Sequence, residues 1–247
     1  LQTIAANLGS MLTPIGNPQN LYLYGLAGKG IGEFIMWLLP YTIASALLLV
    51  ISILLIKNKN EIICIEDTDS EAAHNTSVPR VMAYSVLFIL ALLVVARVLT
   101  WYILAAAVLI TVLLLEKNVL AKADYALLLT FIGFFIFTGN MGRVESVAHF
   151  LAGIVNGREL EAGIITSQCI SNVPAALLLS EFTDNIKNLA IGVNIGGLGT
   201  LIASMASLIS YKLYANEVPE KKGKYFAAFT VYNIIFLVVL YVFTKLI

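Results

Sequence analysis

The sequence predicts an all-α integral membrane fold built on an inverted internal repeat, and three observations carry that expectation. Hydrophobic residues make up 60% of the chain and charged residues 12%, with a mean hydropathy of +0.90. A soluble domain carries about 25% charge. The apolar residues come in long blocks, among them an uncharged run from Phe34 to Ile56 long enough to cross a hydrocarbon core of about 30 Å. A polar pattern embedded in apolar sequence also occurs twice. Positions 7–21 (NLGSMLTPIGNPQNL) and 194–208 (NIGGLGTLIASMASL), offset by 187, share Asn7/Asn194, Gly9/Gly196, Thr13/Thr200, Ile15/Ile202 and Leu21/Leu208. Gly16/Ala203, Asn17/Ser204 and Asn20/Ser207 keep small or polar character. Chance would give roughly one identity in such a window. Polar residues and glycines inside a bilayer are tolerated where a broken helix lines a site, and two such breaks in matching places mark a secondary transporter.

The elements follow in order. A discontinuous span is expected at 2–27, a regular span at 34–56, and a polar loop at 57–80. The run 81–115 is interrupted only by Arg97 and the following Thr100, so it reads as spans 81–98 and 101–116 joined by a tight turn. A span at 122–140 and an interfacial helix at 144–157 come next. Positions 160–183 are apolar but cut by SNVP. About ten residues lie on each side, half a bilayer as helix. This predicts a re-entrant hairpin with Pro174 in the first turn of its second helix, where proline is permitted. A second discontinuous span at 186–212 and a last span at 225–246 close the chain.

Four full spans separate the first broken span from the hairpin, and a hairpin adds no net crossing. The two broken spans therefore cross in opposite directions, which makes the repeat inverted. Residues 1–56 then end a first repeat, 57–80 is a linker, and 81–247 is a second repeat. By the same offset the first repeat's hairpin and spans would lie upstream of Leu1, so an amino-terminal truncation is expected. The side holding 57–80, 117–122 and 212–224 carries nine basic residues against six opposite, which makes it cytoplasmic and the carboxyl terminus external. The expected location is the plasma membrane, multi-pass.

Candidate site residues come from the interruptions. Gly192, Gly196, Gly197 and Gly199 make a continuous helix unfavourable, each costing about 1 kcal/mol against alanine. Unwinding would free carbonyls to hold a cation and aim a half-helix amino end at an anion. Asn194 and Thr200 add side chains, and Asn7, Gly9, Ser10 and Thr13 supply the matching set, with Pro14 and Pro18 removing two backbone donors. Ser171 and Asn172 form the hairpin tip. All of these are expected around one cavity at mid-membrane. No His, Lys, Asp or Glu lies deep in a span, so no buried proton relay is expected. Arg97 and Asp124 read as snorkelling or capping groups, His149 as structural, and Glu181 and Asp184, at the hairpin exit, as candidates for coupling or gating. Cys64 and Cys169 read as free thiols, and the sequon at Asn75 falls in the cytoplasmic loop. No basic patch points to nucleic acid. Hydrolase motifs of the HExxH and GxSxG kind are missing, and no enzymatic activity is expected.

The segments AANLGSMLTPIGNPQN, DYALLLTFIGFFIF, SQCISNVPAALLL and NIGGLGTLIAS together resemble the ion transporter superfamily. That group contains divalent-anion/sodium symporters, citrate permeases, arsenite/antimonite exporters and sodium/proton antiporters. The resemblance implies sodium at Ser171, Asn172, Asn194 and Gly196. Val173 stands where dicarboxylate symporters carry the threonine of Ser-Asn-Thr, and SNVPA is more similar to the arsenite and sodium/proton branch. The expected function is secondary transport of a small di- or tricarboxylate-like or inorganic anion. Coupling to a sodium or proton gradient would proceed by elevator or rocking alternating access. The alternatives are an arsenite/antimonite exporter, a sodium/proton antiporter, or, from another class, an antiporter-like subunit of a membrane complex. The expected partners are the anionic substrate, the lipid bilayer and a second copy in a homodimer. No cofactor is expected beyond sodium as coupling ion.

Overall fold

A computed structural model describes residues 1–56 and 78–247. Most of the linker loop, with Cys64 and the sequon at Asn75, lies outside the described residues. The described residues are mostly helical, without strands, and fall into two compact units, Leu1–Leu55 with Thr130–Ile247 and Ile56–Leu129.

The first broken span is α1 (Gln2–Ser10) and α2 (Pro18–Ala27), separated by an irregular stretch at 11–17. Pro18 opens α2, and the Asn17 side chain caps it by accepting from the Asn20 N–H at 2.9 Å. Within the break, Gly16 passes so close to Ser10 that a Cβ would stand 1.8 Å from the Ser10 carbonyl oxygen. No other residue fits there. The regular span α3 (Ile31–Leu55) follows, about 38 Å of helix.

In the second unit, α4 (Val78–Val95) and α5 (Trp101–Leu115) form the predicted pair of apolar helices. Arg97 makes the turn between them with φ 61°, a conformation uncommon outside glycine. Arg80 and Tyr84 on α4 both reach Glu116, at 3.2 and 3.1 Å, closing the pair at its open end. The link at 117–122 holds a separate short α6 (Lys117–Ala121), and α7 (Tyr125–Met141) stands where the span 122–140 was expected. Lys117, Lys122 and Asp124 crowd this link, and the turn keeps them out of the apolar helix. The amphipathic α8 (Glu145–Val155) stands where an interfacial helix was expected.

Residues 160–183 fold back on themselves. α9 (Glu159–Ile170) ends at Ser171, whose φ of 76° turns the chain, and α10 (Asn172–Leu179) returns. A straight helix over 159–179 would separate its ends by about 30 Å. Instead Thr183 donates to the Glu159 carboxylate at 3.1 Å, and the backbone N–H of Gly157 donates to the same oxygen at 2.9 Å. Glu159 is buried and ties the hairpin's two ends together.

The second broken span is α11 (Ile186–Gly196) and α12 (Met205–Glu217), interrupted at 197–204. Its Ser204 caps α12 by accepting from the Ser207 N–H at 3.1 Å, the role Asn17 plays 187 positions earlier. The last span, α13 (Lys222–Thr244), packs on α3, with Tyr41 and Phe243 edge to face at 5.9 Å.

α11 sits at the centre of its unit, packed on α9, α10, α2 and α13, and every residue from Leu189 to Gly199 is buried. The four glycines were expected to interrupt this helix; α11 runs through Gly192, ends at Gly196 and breaks from Gly197 on, so Gly192 alone is corrected. The missing side chains of Gly192 and Gly196 let α9 approach. A Cβ on Gly192 would lie 2.4 Å from the Leu160 carbonyl oxygen, and one on Gly196 2.9 Å from the Ile164 Cα. Backbone contact of this kind is how small residues join membrane helices.

Gly192→Ala should therefore lower the stability of the detergent-solubilised protein by about 1–3 kcal/mol, as overpacking does. Gly153→Ala, on the exposed side of α8 with open space around it, should be neutral or stabilising by up to about 1 kcal/mol. Thermal unfolding of the two variants beside the parent checks the contrast.

Candidate functional site

The two helix breaks meet. Asn7 on α1 donates to the Ser204 hydroxyl at 2.8 Å and to the Gly197 carbonyl at 3.4 Å, both in the second break. Asn194 on α11 accepts from Asn17 of the first break at 3.0 Å and donates to the Asn20 side-chain oxygen at 2.6 Å. Each half-helix thus sends an asparagine to the residue that caps the other span's second half. Asn7 and Asn194 correspond at the 187 offset, and so do Asn17 and Ser204, so the exchange is reciprocal.

Its direction is legible too. Asn7 pairs with Ser204, and Thr3, one turn earlier, donates to Ser210, later in its helix, at 2.8 Å. Moving back along α1 moves forward along α12. The two segments pack antiparallel, as α11 and α2 do through Asn194 with Asn20 and the shared core of Ala190 and Leu23.

The network is saturated. Asn20 donates to the carbonyls of Met11 and Thr13 at 2.7 and 3.2 Å, and Asn194 also donates to Ala190 O at 2.7 Å. Ser10 accepts from Asn17 at 3.3 Å and donates to Asn7 O at 2.9 Å. Asn20 and Asn194 are both almost fully buried. Around these residues the amides and broken-turn carbonyls use their hydrogen-bonding capacity on one another, where the sequence suggested a cavity lined by them.

The hairpin tip abuts the second break. Ser171 donates to Ala203 O at 3.5 Å, and the buried Asn172 amide faces Gly197, where a Cβ would come within 2.8 Å of it. Gly199 takes φ 104°, which glycine alone accepts readily, and the exposed Thr200 donates from its hydroxyl to Gln168 O at 3.2 Å. Of the predicted set, Asn7, Ser10 and Asn194 form one network, and Ser171, Asn172, Gly199 and Thr200 gather at the hairpin side of the second break. Thr13 joins only through its carbonyl. Gly196 serves close packing with α9 and offers its carbonyl, while Gly9, its repeat counterpart, faces open space.

The predicted set omitted Asn17, Asn20, Gln168, Ser204 and Ser207. The repeat pairs Asn17/Ser204 and Asn20/Ser207 were the available signal. Glu181 and Asp184 line a cleft of about 430 Å³ with His149 at the hairpin exit. Lys29, Trp37, Asp184 and Lys187 line a neighbouring cleft of about 370 Å³.

The citrate transporter family matches residues 1–188, most of the chain. This chain belongs to that family. It is 37% identical to an uncharacterized transporter, MJ0456, of Methanocaldococcus jannaschii over 98% of its own length and 65% of the relative's. It is 31% identical to the inner membrane protein YbiR of Escherichia coli K12 over 87% of its length and 58% of that protein. The chain therefore spans about three fifths of the curated relatives it matches. No solved structure matches. Family membership and the long apolar helices α3, α4 and α13 make it a membrane protein.

Asn194→Ala should cost about 1–3 kcal/mol of stability, because it strands a donor on Asn17 and an acceptor on Asn20. Thr200→Ala, at an exposed position, should cost less than about 1 kcal/mol. Denaturant unfolding of both variants tests the ranking.

Proposed function

We propose that this chain supplies the end of the first repeat and the second repeat of an inverted-repeat secondary transporter, which moves a small anion under a sodium or proton gradient. One observation carries the reading: the reciprocal, antiparallel exchange between Asn7 with Ser204 and Asn194 with Asn17. A two-fold relation of this kind lets one architecture take two mirror-related access states. The hairpin of α9 and α10, with its polar tip against the second break, supports re-entry to mid-depth. The family's description as citrate transporters supports a tricarboxylate as the first substrate to try.

Val173 favours a second reading within the same class. It is buried beside the tip and brings no hydroxyl there, which takes away the threonine that would hold a carboxylate and leaves an arsenite/antimonite exporter or a sodium/proton antiporter as the alternative. In either reading the protein sits in the plasma membrane, with the 57–80 loop cytoplasmic.

The test is uptake by the full-length protein in vesicles, with citrate, succinate, sulfate and arsenite offered under imposed sodium or proton gradients. Asn172→Ala and Asn194→Ala should abolish gradient-driven uptake or sharply raise the cation concentration required, with membrane insertion intact. Cys169→Ser, on the exposed side of α9, should behave as the parent. Gradient-independent flux of every substrate, or wild-type cation dependence in both asparagine variants, would contradict the proposal.

A further inference from the structure

We propose that the groove between α8 and α9 seats one phospholipid with a phosphoethanolamine head, its phosphate on Arg158, its ammonium on Glu161 and an acyl chain along Ile154 and Ile165. Such a site depends on the chain's lying in a membrane and not on what the protein carries. Ile154, Gly157, Arg158, Glu161, Ala162 and Ile165 line a cleft of about 410 Å³. The turn at Gly157, with φ 78°, brings α9 against α8 and leaves the cleft between them. Its depth is set by α13. Lys245 follows the end of that membrane-length helix and pairs with Glu161, so the head of the cleft lies at the same membrane face. Tyr241, one turn earlier on α13, also donates to Glu161, at 3.4 Å, the place an interfacial aromatic takes.

The cleft changes character along its length as a leaflet does. Arg158 and Glu161 stand at its head, and the exposed Ile165 lies about 10 Å further along α9. The headgroup zone of one leaflet is about 5–8 Å deep, so Ile165 reaches hydrocarbon when Arg158 is level with the phosphates. Phe150 and Ile154, one turn apart on the exposed side of α8, extend the apolar wall. The charges then select the head. Arg158 is exposed, and none of the ion pairs among the described residues uses it, which leaves its fork for a phosphate. Lys245 and Tyr241 both meet Oε1 of Glu161, so Oε2 keeps acceptor capacity, and the side chain is 31% exposed. The adjacent buried Glu159 is held by neutral donors, the Gly157 N–H and the Thr183 hydroxyl. The cations of Arg158 and Lys245 are thus matched by two carboxylates. Without a cationic excess an anionic head gains little, while a phosphate and a primary ammonium on a short ethyl bridge each find a partner.

The midpoint of thermal unfolding of the purified full-length protein, in uncharged detergent, is followed as lipid is added. The probes are dioleoyl phosphatidylethanolamine, the matching phosphatidylcholine and phosphatidylglycerol, and water-soluble glycerophosphoethanolamine, which has no acyl chains. Phosphatidylethanolamine should raise the midpoint at the lowest concentration. Phosphatidylcholine, whose methylated nitrogen donates no hydrogen bond, should need about tenfold more, and phosphatidylglycerol should do no better. The soluble head should have no effect. Arg158→Gln should raise the half-saturating concentration of phosphatidylethanolamine about tenfold, and Ile165→Ser should raise it less. Both positions are exposed, so the lipid-free midpoint should stay near the parent's. Glu161→Gln should erase the difference between phosphatidylethanolamine and phosphatidylcholine. Should that variant fail to fold for want of the Lys245 bridge, Arg158→Gln and the choline comparison decide. No response to phosphatidylethanolamine, an equal response to all three lipids, a stronger one to phosphatidylglycerol, stabilisation by the soluble head alone, or parent-like saturation in Arg158→Gln would each overturn the inference.

Discussion

The structure depends on one constraint: backbone groups released by a helix break inside an apolar layer must find partners within the protein. Water is absent there, and each unsatisfied group costs several kcal/mol. Two breaks, at 11–17 and 197–204, release two such sets. Neither break is satisfied by its own span alone. The carbonyls of Met11 and Thr13 take Asn20, which in turn takes Asn194 from the other span, and Gly197 O takes Asn7. The breaks must lie against each other because each holds part of what the other lacks.

That pairing governs the packing around it. For Asn194 to reach the first break, α11 must sit at the centre of its unit, and only glycine at 192 and 196 lets α9 come close enough to cover it. The hairpin is then fixed at both ends. Its mouth is closed by Thr183 on Glu159, and its tip rests on Ala203 and Gly197. Gln168 bridges the two regions, tied to α9 by its backbone and to the second break by its amide. The clefts lined by Glu181, Asp184 and Lys187 lie at the hairpin exit, where the wall is built from loops that the amide network does not tie.

The broken spans, the hairpin and the regular apolar helices were legible because each leaves a local mark: Pro18 after Asn17, Pro174 after Ser171, a long uncharged run at α3. The turn at Arg97 was legible for the same reason. Gly192 was misread because a glycine that breaks a helix and one that admits a neighbour look alike without the neighbour's position. Asn17, Asn20 and Gln168 act through partners 28–177 residues away in sequence, and no local pattern points so far. The repeat offset narrowed this for Asn17 and Ser204, since matched positions in a two-fold arrangement are brought near its axis. Gln168 has no matched position in this chain, and its bridge from α9 to the second break shows only in the carbonyls around its amide.

The central claim, that the two broken spans cross antiparallel with α1 against α12, is tested most directly by a disulfide between Thr3→Cys and Ser210→Cys in the native membrane. The hydroxyls of these residues are 2.8 Å apart, within reach of a cysteine bridge. Mild oxidation should cross-link this pair in high yield, seen as a changed mobility that reductant reverses, while Thr3→Cys paired with Ser167→Cys should not react. A pair at 3 and 210 that stays reduced while both thiols are otherwise competent would contradict the account.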